Sequence, residues 1–566
     1  MAVEQEAWQV AAARKREDRA HRLKPFSHWS LGDLTPPTQK NVTLLVHARL
    51  TSRERSFLTT DATDLAHRLA TRECTAVEVT TAFCKATYAA QELTNCVTEV
   101  MFAQALARAH ELDEHISKTG QVVGPLHGVP ISVKDHIFVE GEDTACGSVA
   151  WIGRYVAEED NTLVHILRQA GAVFYVKTTN PQVLYAFETN NNIYGRTTNP
   201  YNRELAAGGS SGGEGALVGA RASLLGVGTD LGGSTVSLSK LVIRIPAAWC
   251  GLYGLKPSTN RLPLPTSGLA TPNKGKEDLL IVPGPMAHSV RDMELFCRVV
   301  ADSEPWNIDP NTLNMPWNRS LAQGNESRKL VLGVFADDGV VAPHPPIVEH
   351  LQKARAALVA AGHEVIDWTM DDQMEAMQLI GKIGGADGGE DLRASLIEAG
   401  EPALPLLERI LNSIKPGGYS MTESWATNVE RDEFRARALK RWNETALRSK
   451  YGRPIDAILC PATATLASPH DTTRWAGYTH YWNLLDLPAA VFPSGKPFNA
   501  KEWKSGTRPS LGKPRNSIEE FVAGQWDPDT YEGAPVALQL VGRRWQEEKL
   551  LGDLKIVDAV VNHSNA

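Results

Sequence analysis

Between Ala206 and Ser234 the chain reads AAGGSSGGEGALVGARASLLGVGTDLGGS. Glycine at this density opens backbone angles closed to other residues and lets the main chain approach a bound group closely. Successive backbone N–H groups in such a run can converge on an anion. Three readings are open: a phosphate-binding loop, an oxyanion-binding loop, or a plain flexible linker. The linker reading is the weakest, because the helix-like EGALVGARASLL interrupts the glycines. The phosphate reading lacks its usual partners, since no GxxxxGK[ST] is present. No GxGxxG opens a helix after a strand with an acid about 20 residues further on.

The flanks read as an α/β chain. Apolar residues recur at three- and four-residue steps from Leu58 to about His115, a helical pattern with Thr60 and Asp61 as cap residues. Val129–Val133 in GPLHGVPISVKD is a short apolar run that predicts a buried strand. NTLVHILRQAGAVFYVKTTNP reads as helix, stop at Gly171, then strand. KLVLGVFADDGVV and HEVIDWTM predict strands around the helix HPPIVEHLQKARAALVAAG. Residues 372–450 read as mostly helical, with a glycine-rich interruption at 384–389. DAILCPATAT and GAPVALQLVGRRW predict two late strands, and 494–530 a Pro-, Lys- and Gly-rich surface loop. Residues 1–57, charged and broken at Pro36 and Pro37, predict an N-terminal helical arm. Strand signals at both ends of the rest predict one large α/β domain over 58–560. Its expected core is a central mixed β-sheet of about ten or more strands, with helices on both faces.

Composition narrows the function. With 42% hydrophobic and 22% charged residues, a chain of this length can bury a large core. A formal net charge of −8 argues against a nucleic-acid partner. The seven cysteines are scattered and odd in number, without metal-ligand spacing, and read as buried thiols. The sixteen histidines form no HExxH pair, and His136 reads as a polar neighbour rather than a ligand. No metal and no cofactor are expected. No apolar run reaches the ~18 residues of a membrane span, and the first residues lack the apolar stretch of a signal peptide. A cytoplasmic enzyme without a membrane partner is the expectation.

Several linked motifs carry a resemblance. GVPISVKD at 128–135, TTNP at 178–181, GRTTNP at 195–200, GGSSGG at 208–213, GVGTDLGGS at 226–234 and IPAAWCGLYGLKPS at 245–258 occur in order, followed by YWNLLDLPAAVFP and GAPVALQLVGRR. Together they resemble the amidase signature family over about residues 58–560, and within it the fungal acetamidase-type enzymes. The resemblance implies an amide hydrolase acting on a small-molecule carboxylic amide through an acyl-enzyme. It gives Ser234 the role of nucleophile, Ser210 that of the bridging serine beside a cis peptide, and Lys134 that of the base. Leu231, Gly232, Gly233 and Ser234 supply backbone N–H groups for an oxyanion hole, and Ser210 also faces the substrate. Ser211, Asp230 and Arg244 are implied as supporting residues, and Leu184, Tyr185 and Ala186 as a substrate-contacting stretch or core. A homodimer is left open.

The chemistry is coherent with those residue types. A serine hydroxyl is a poor nucleophile until its proton can leave. A lysine accepts that proton only when neutral, which burial at the end of an apolar strand favours.

One departure stands out. The family runs from the nucleophile directly into the next helix, as in GGSIRIPAAFCG, whereas this chain reads GGS-TVSLSKLV-IRIPAAWCG. Residues 235–242 form an eight-residue insertion, and Arg244 lies ten positions after Ser234. Two origins are weighed: a true insertion, or a splice-boundary error in the prediction of the gene, the favoured explanation. A true insertion would suit a catalytically impaired homologue acting as a binding or interaction protein. A further rival is the amidase subunit of a tRNA-dependent amidotransferase.

Overall fold

In the computed structural model the apolar runs become a mixed sheet. The structure describes residues 6–34, 38–231, 242–325, 327–505 and 512–563. Its strands are β1 (Val97–Val100), β2 (Pro130–Lys134), β3 (Val173–Thr178), β4 (Asn190–Asn191), β5 (Gly195–Arg196), β6 (Leu225–Leu231), β7 (Tyr253–Lys256), β8 (Ile281–Ala287), β9 (Val331–Val334), β10 (Glu364–Asp367), β11 (Ala457–Pro461), β12 (Ala489–Pro493) and β13 (Ala537–Val541). Among the described residues eleven of these form one sheet in the order β1-β3-β2-β6-β8-β7-β12-β13-β11-β9-β10. The short β4 and β5 pair only with each other.

Strands from the first and last thirds of the chain therefore share one sheet, flanked by helices, as the α/β reading predicts. β2 runs parallel to both β3 and β6, so the C-terminal ends of three neighbouring strands open on the same edge. That edge is where ligands gather in open α/β sheets. The helix Gly212–Gly219 precedes β6, and its N-terminus returns to the same edge, where the Gly213 N–H donates to the Thr179 carbonyl just past β3. Close approach there needs glycine: a Cβ on Gly213 would collide with the Thr179 backbone, and one on Gly226 with the Glu214 carboxylate.

Two stretches differ from expectation. The helical reading of 58–115 breaks into helices Ala62–Ala70, Ala76–Thr94 and Phe102–Thr119, with β1 between the last two. Asn95, in the left-handed region at φ 53°, ends the second helix. The β-branched Val97, Thr98 and Val100 then pair antiparallel with β3. The loop expected over 494–530 contains the helices Ala500–Lys504 and Ser517–Gly524, each capped by an asparagine, Asn499 and Asn516. The glycine break at 384–389 holds, separating Gln373–Gly384 from Glu390–Ala399. All seven cysteines are buried free thiols. No helix among the described residues is long and apolar enough to cross a membrane.

Candidate active site

The parallel register fixes which side chains meet. Lys134 is the last residue of β2, opposite Thr178 of β3, and β6 lies on the other side. Its amine is fully buried and lies 2.5 Å from Ser210 Oγ and 3.2 Å from Thr229 Oγ1. Burial pushes the Lys134 pKa down to about 7. The surrounding Cys146, Asp230, Glu214 and Asp135 oppose that shift without cancelling it. Ser210 is buried and follows a cis Gly209–Ser210 peptide bond.

Ser211 ties this turn to β6. Its hydroxyl lies 3.3 Å from both the N–H and the carbonyl oxygen of Thr229, accepting from the first and donating to the second.

Asp230 and Arg244 form a buried clasp. The guanidinium donates to both carboxylate oxygens, each at 3.1 Å, and the Ile243 N–H donates to Asp230 Oδ2 at 3.0 Å. Asn483 completes it, donating to Asp230 Oδ1 at 2.7 Å and accepting from Arg244. These bonds hold the Asp230 carboxyl below the usual range despite its burial, with Arg244 the strongest favourable partner. The last turn of β6 and the start of the helix Arg244–Trp249 are thereby locked together.

Leu231 ends β6 and is buried. Gly232, Gly233 and Ser234 lie outside the described residues, as does the insertion except for the buried Val242.

Three further participants have no role assigned from the sequence. Glu214 is buried within the glycine-rich helix and accepts from Ser132 Oγ at 2.6 Å and Thr178 Oγ1 at 2.8 Å. Burial raises its pKa to about 7. Thr229 stands between Lys134 and His136, whose Nε2 lies 3.1 Å from Thr229 Oγ1. Asn483 lies in YWNLLDLP, a segment whose resemblance is visible but whose spacing says nothing about Asp230. An acid inside a glycine-rich helical turn was the only local signal for Glu214.

A cavity of about 310 Å³ borders this constellation. Leu184, Tyr185, Leu231, Leu269, Leu279 and Ile281 supply its apolar wall, and Ala186 does not line it. The cavity adjoins the end of β2, because Leu269 bridges Ile137 and the Ala270 N–H donates to the His136 carbonyl at 3.1 Å. Among the described residues no group of three or more His, Cys, Asp or Glu side chains is arranged to hold a metal ion.

Comparison with known proteins places this chain among relatives. The amidase family model matches residues 78–551. An acetamidase of Emericella nidulans is 41% identical over 561 residues, spanning 96% of this chain and 97% of the relative. An acetamidase of Aspergillus oryzae is 38% identical over 518 residues, 91% of this chain and 92% of its own. Among solved structures, a fatty acid amide hydrolase superposes with a TM-score of 0.88 at 30% identity, covering 98% of this chain and 95% of that one.

Proposed function

We propose, from the premise that this chain belongs to the amidase signature family, that it hydrolyses carboxylic amides through Ser234, Ser210 and Lys134. Ser234 Oγ attacks the amide carbonyl carbon as its proton passes to Ser210 Oγ, while the Ser210 proton passes to Lys134 Nζ. The tetrahedral oxyanion is held by the N–H groups of Leu231, Gly232, Gly233 and Ser234. Losing one such donor costs about 10²–10³ in rate in other serine hydrolases. The proton returns from Lys134 through Ser210 to the leaving nitrogen, releasing ammonia or amine and leaving an acyl-Ser234 ester. Water then repeats the sequence and frees the acid.

The observation that carries this reading is the Lys134–Ser210 hydrogen bond in a site without solvent access. There the amine is balanced between its charged and neutral forms near pH 7. A base with its pKa near the working pH is the most effective proton acceptor. The cavity beside Leu231 is the natural place for the acyl group, since its wall begins three residues before Ser234.

A serine-directed fluorophosphonate probe tests the assignment. Labelling is expected at Ser234, read by peptide mass spectrometry. Ser234→Ala, Ser210→Ala and Lys134→Ala should each lower kcat by at least about 10²–10⁴-fold. Folded protein that takes no label at Ser234 would overturn it.

The insertion supports a second reading, an impaired homologue retained as a binding protein, because about 1 Å of misplacement at a nucleophile can cost 10²-fold. Folded protein that turns over no amide would favour it.

A further inference from the structure

We propose that Thr229 and His136 form a positioning pair that holds the Lys134 amine with its lone pair turned toward Ser210. This rests on the reading of Lys134 as the base. A neutral primary amine carries two N–H bonds and one lone pair. It can take the Ser210 proton only if the lone pair, not an N–H, faces the Ser210 hydroxyl. Rotation about the last carbon–nitrogen bond of lysine interchanges these, so something must hold the amine in one orientation.

Thr229 Oγ1 is placed to do so. It lies 3.2 Å from Lys134 Nζ, on a strand adjacent to β2, and it is fully buried. Accepting one N–H from the amine keeps the lone pair off Thr229 and leaves it free to face Ser210, 2.5 Å away. A hydroxyl can instead donate, and a Thr229 that donated to Lys134 would occupy the very lone pair the reaction needs.

The tautomer of His136 decides between the two, and the pair requires the ring proton on Nδ1. Its Nε2 lies 3.1 Å from Thr229 Oγ1, and its Nδ1 has no hydrogen-bond partner among the described residues. A ring with its proton on Nδ1 leaves Nε2 free to accept the Thr229 proton, which commits Thr229 to accepting from Lys134. The ring stays neutral because burial lowers its pKa well below 6.5, and the nearby Lys134 and Lys177 lower it further. The other ionisable groups around the amine are Cys146, Asp230 of β6, Glu214 of the glycine-rich helix and Asp135 on the same segment. None of these is hydrogen-bonded to Thr229 Oγ1 among the described residues.

Kinetics with pH profiles on the full-length protein test the pair. Thr229→Val should lower kcat by about tenfold or more, the scale of one hydrogen bond to a charged group, with KM changing much less. The acid limb of kcat/KM should also move to lower pH, because the Lys134 ammonium loses an acceptor. Thr229→Ser should restore both. His136→Leu should act in the same direction. The double variant Thr229→Val/His136→Leu should be little worse than Thr229→Val, since both residues act through one hydrogen-bond line. Circular dichroism checks folding, and Thr229→Ala replaces the valine variant if that fails to fold.

A folded Thr229→Val or Thr229→Ala enzyme with unchanged kcat overturns the pair. So does a lowered kcat with an unmoved acid limb, or losses that multiply fully in the double variant. Lys134→Ala is measured in parallel. Full activity there would remove the base assignment itself and the pair with it. An inactive Lys134→Ala beside an unaffected Thr229→Val removes the pair alone.

Discussion

A buried lysine near neutrality makes a direct statement about pH. In the proposed mechanism only the unprotonated Lys134 can accept the Ser210 proton, and burial places its pKa at about 7. The kcat/KM profile is therefore expected to fall on the acid side with a midpoint near pH 7, losing about tenfold for each further pH unit. A flat profile between pH 5 and 8 would contradict this. Glu214 acts on the same equilibrium from the helix behind. Its pKa is raised from 4.5 to about 7, so the folded state keeps a proton the unfolded chain releases. Its contribution to stability is complete below about 4.5 and is lost as pH climbs through 7. Glu214→Gln removes the charge that Glu214 carries only as pH approaches and passes 7 and that favours the Lys134 ammonium, so the acid limb should move slightly to lower pH. Lys134, Ser210, Asp230 and Arg244 were legible in the sequence because the resemblance assigns a role to each of those positions. Glu214, Thr229 and Asn483 were not, because what gives them meaning is the register of β2 against β3 and β6 and the packing of a distant helix. Such contacts leave no spacing in the chain.

At the scale of elements, the helix Ala7–Leu23 reaches the site's surroundings through ions. Lys15 is buried and pairs with Glu99 at 2.6 Å and Asp143 at 2.9 Å. Arg19 donates to the Val97 carbonyl at 2.7 Å, covering the edge strand β1. The Asp143 carbonyl in turn accepts from Lys177 at 3.0 Å, and Lys177 is a main counter-charge for Asp135, next to Lys134. Lys15→Met leaves Glu99 and Asp143 short of their closest cation. Breaking buried pairs in this way costs about 3–5 kcal/mol. A lower denaturation midpoint is expected, with faster amide exchange in Ala7–Leu23 and Val97–Val100. Unchanged exchange there would show that the helix is held by other contacts. The sequence left β1 unread because four residues are too few to break a helical pattern that resumes at Phe102. The helices at 500–504 and 517–524 were hidden by the glycines, prolines and lysines around them, although Asn499 and Asn516 were ordinary cap signals.

Across the whole molecule the order of strands follows from how early and late segments pair, and no local pattern encodes it. The apolar runs foretold a large mixed sheet, yet not that β12 would join β7 to β13 at its centre. The insertion belongs to this scale, because its effect depends on what its two ends are attached to. Removing residues 235–241, which keeps the buried Val242, should leave the melting temperature close to that of the parent protein while changing the rate of amide hydrolysis, measured on a panel from acetamide to longer and aryl amides. A large loss of thermal stability on deletion would contradict this.

The clasp of Asp230, Ile243, Arg244 and Asn483 explains the expected separation. It anchors both feet of the intervening segment, so adding residues between them resembles letting out rope between two fixed moorings. Closing a span roughly three times longer costs only about 1 kcal/mol. Evolution could thus vary the reach of that segment at small expense to folding, leaving selection to act on turnover alone.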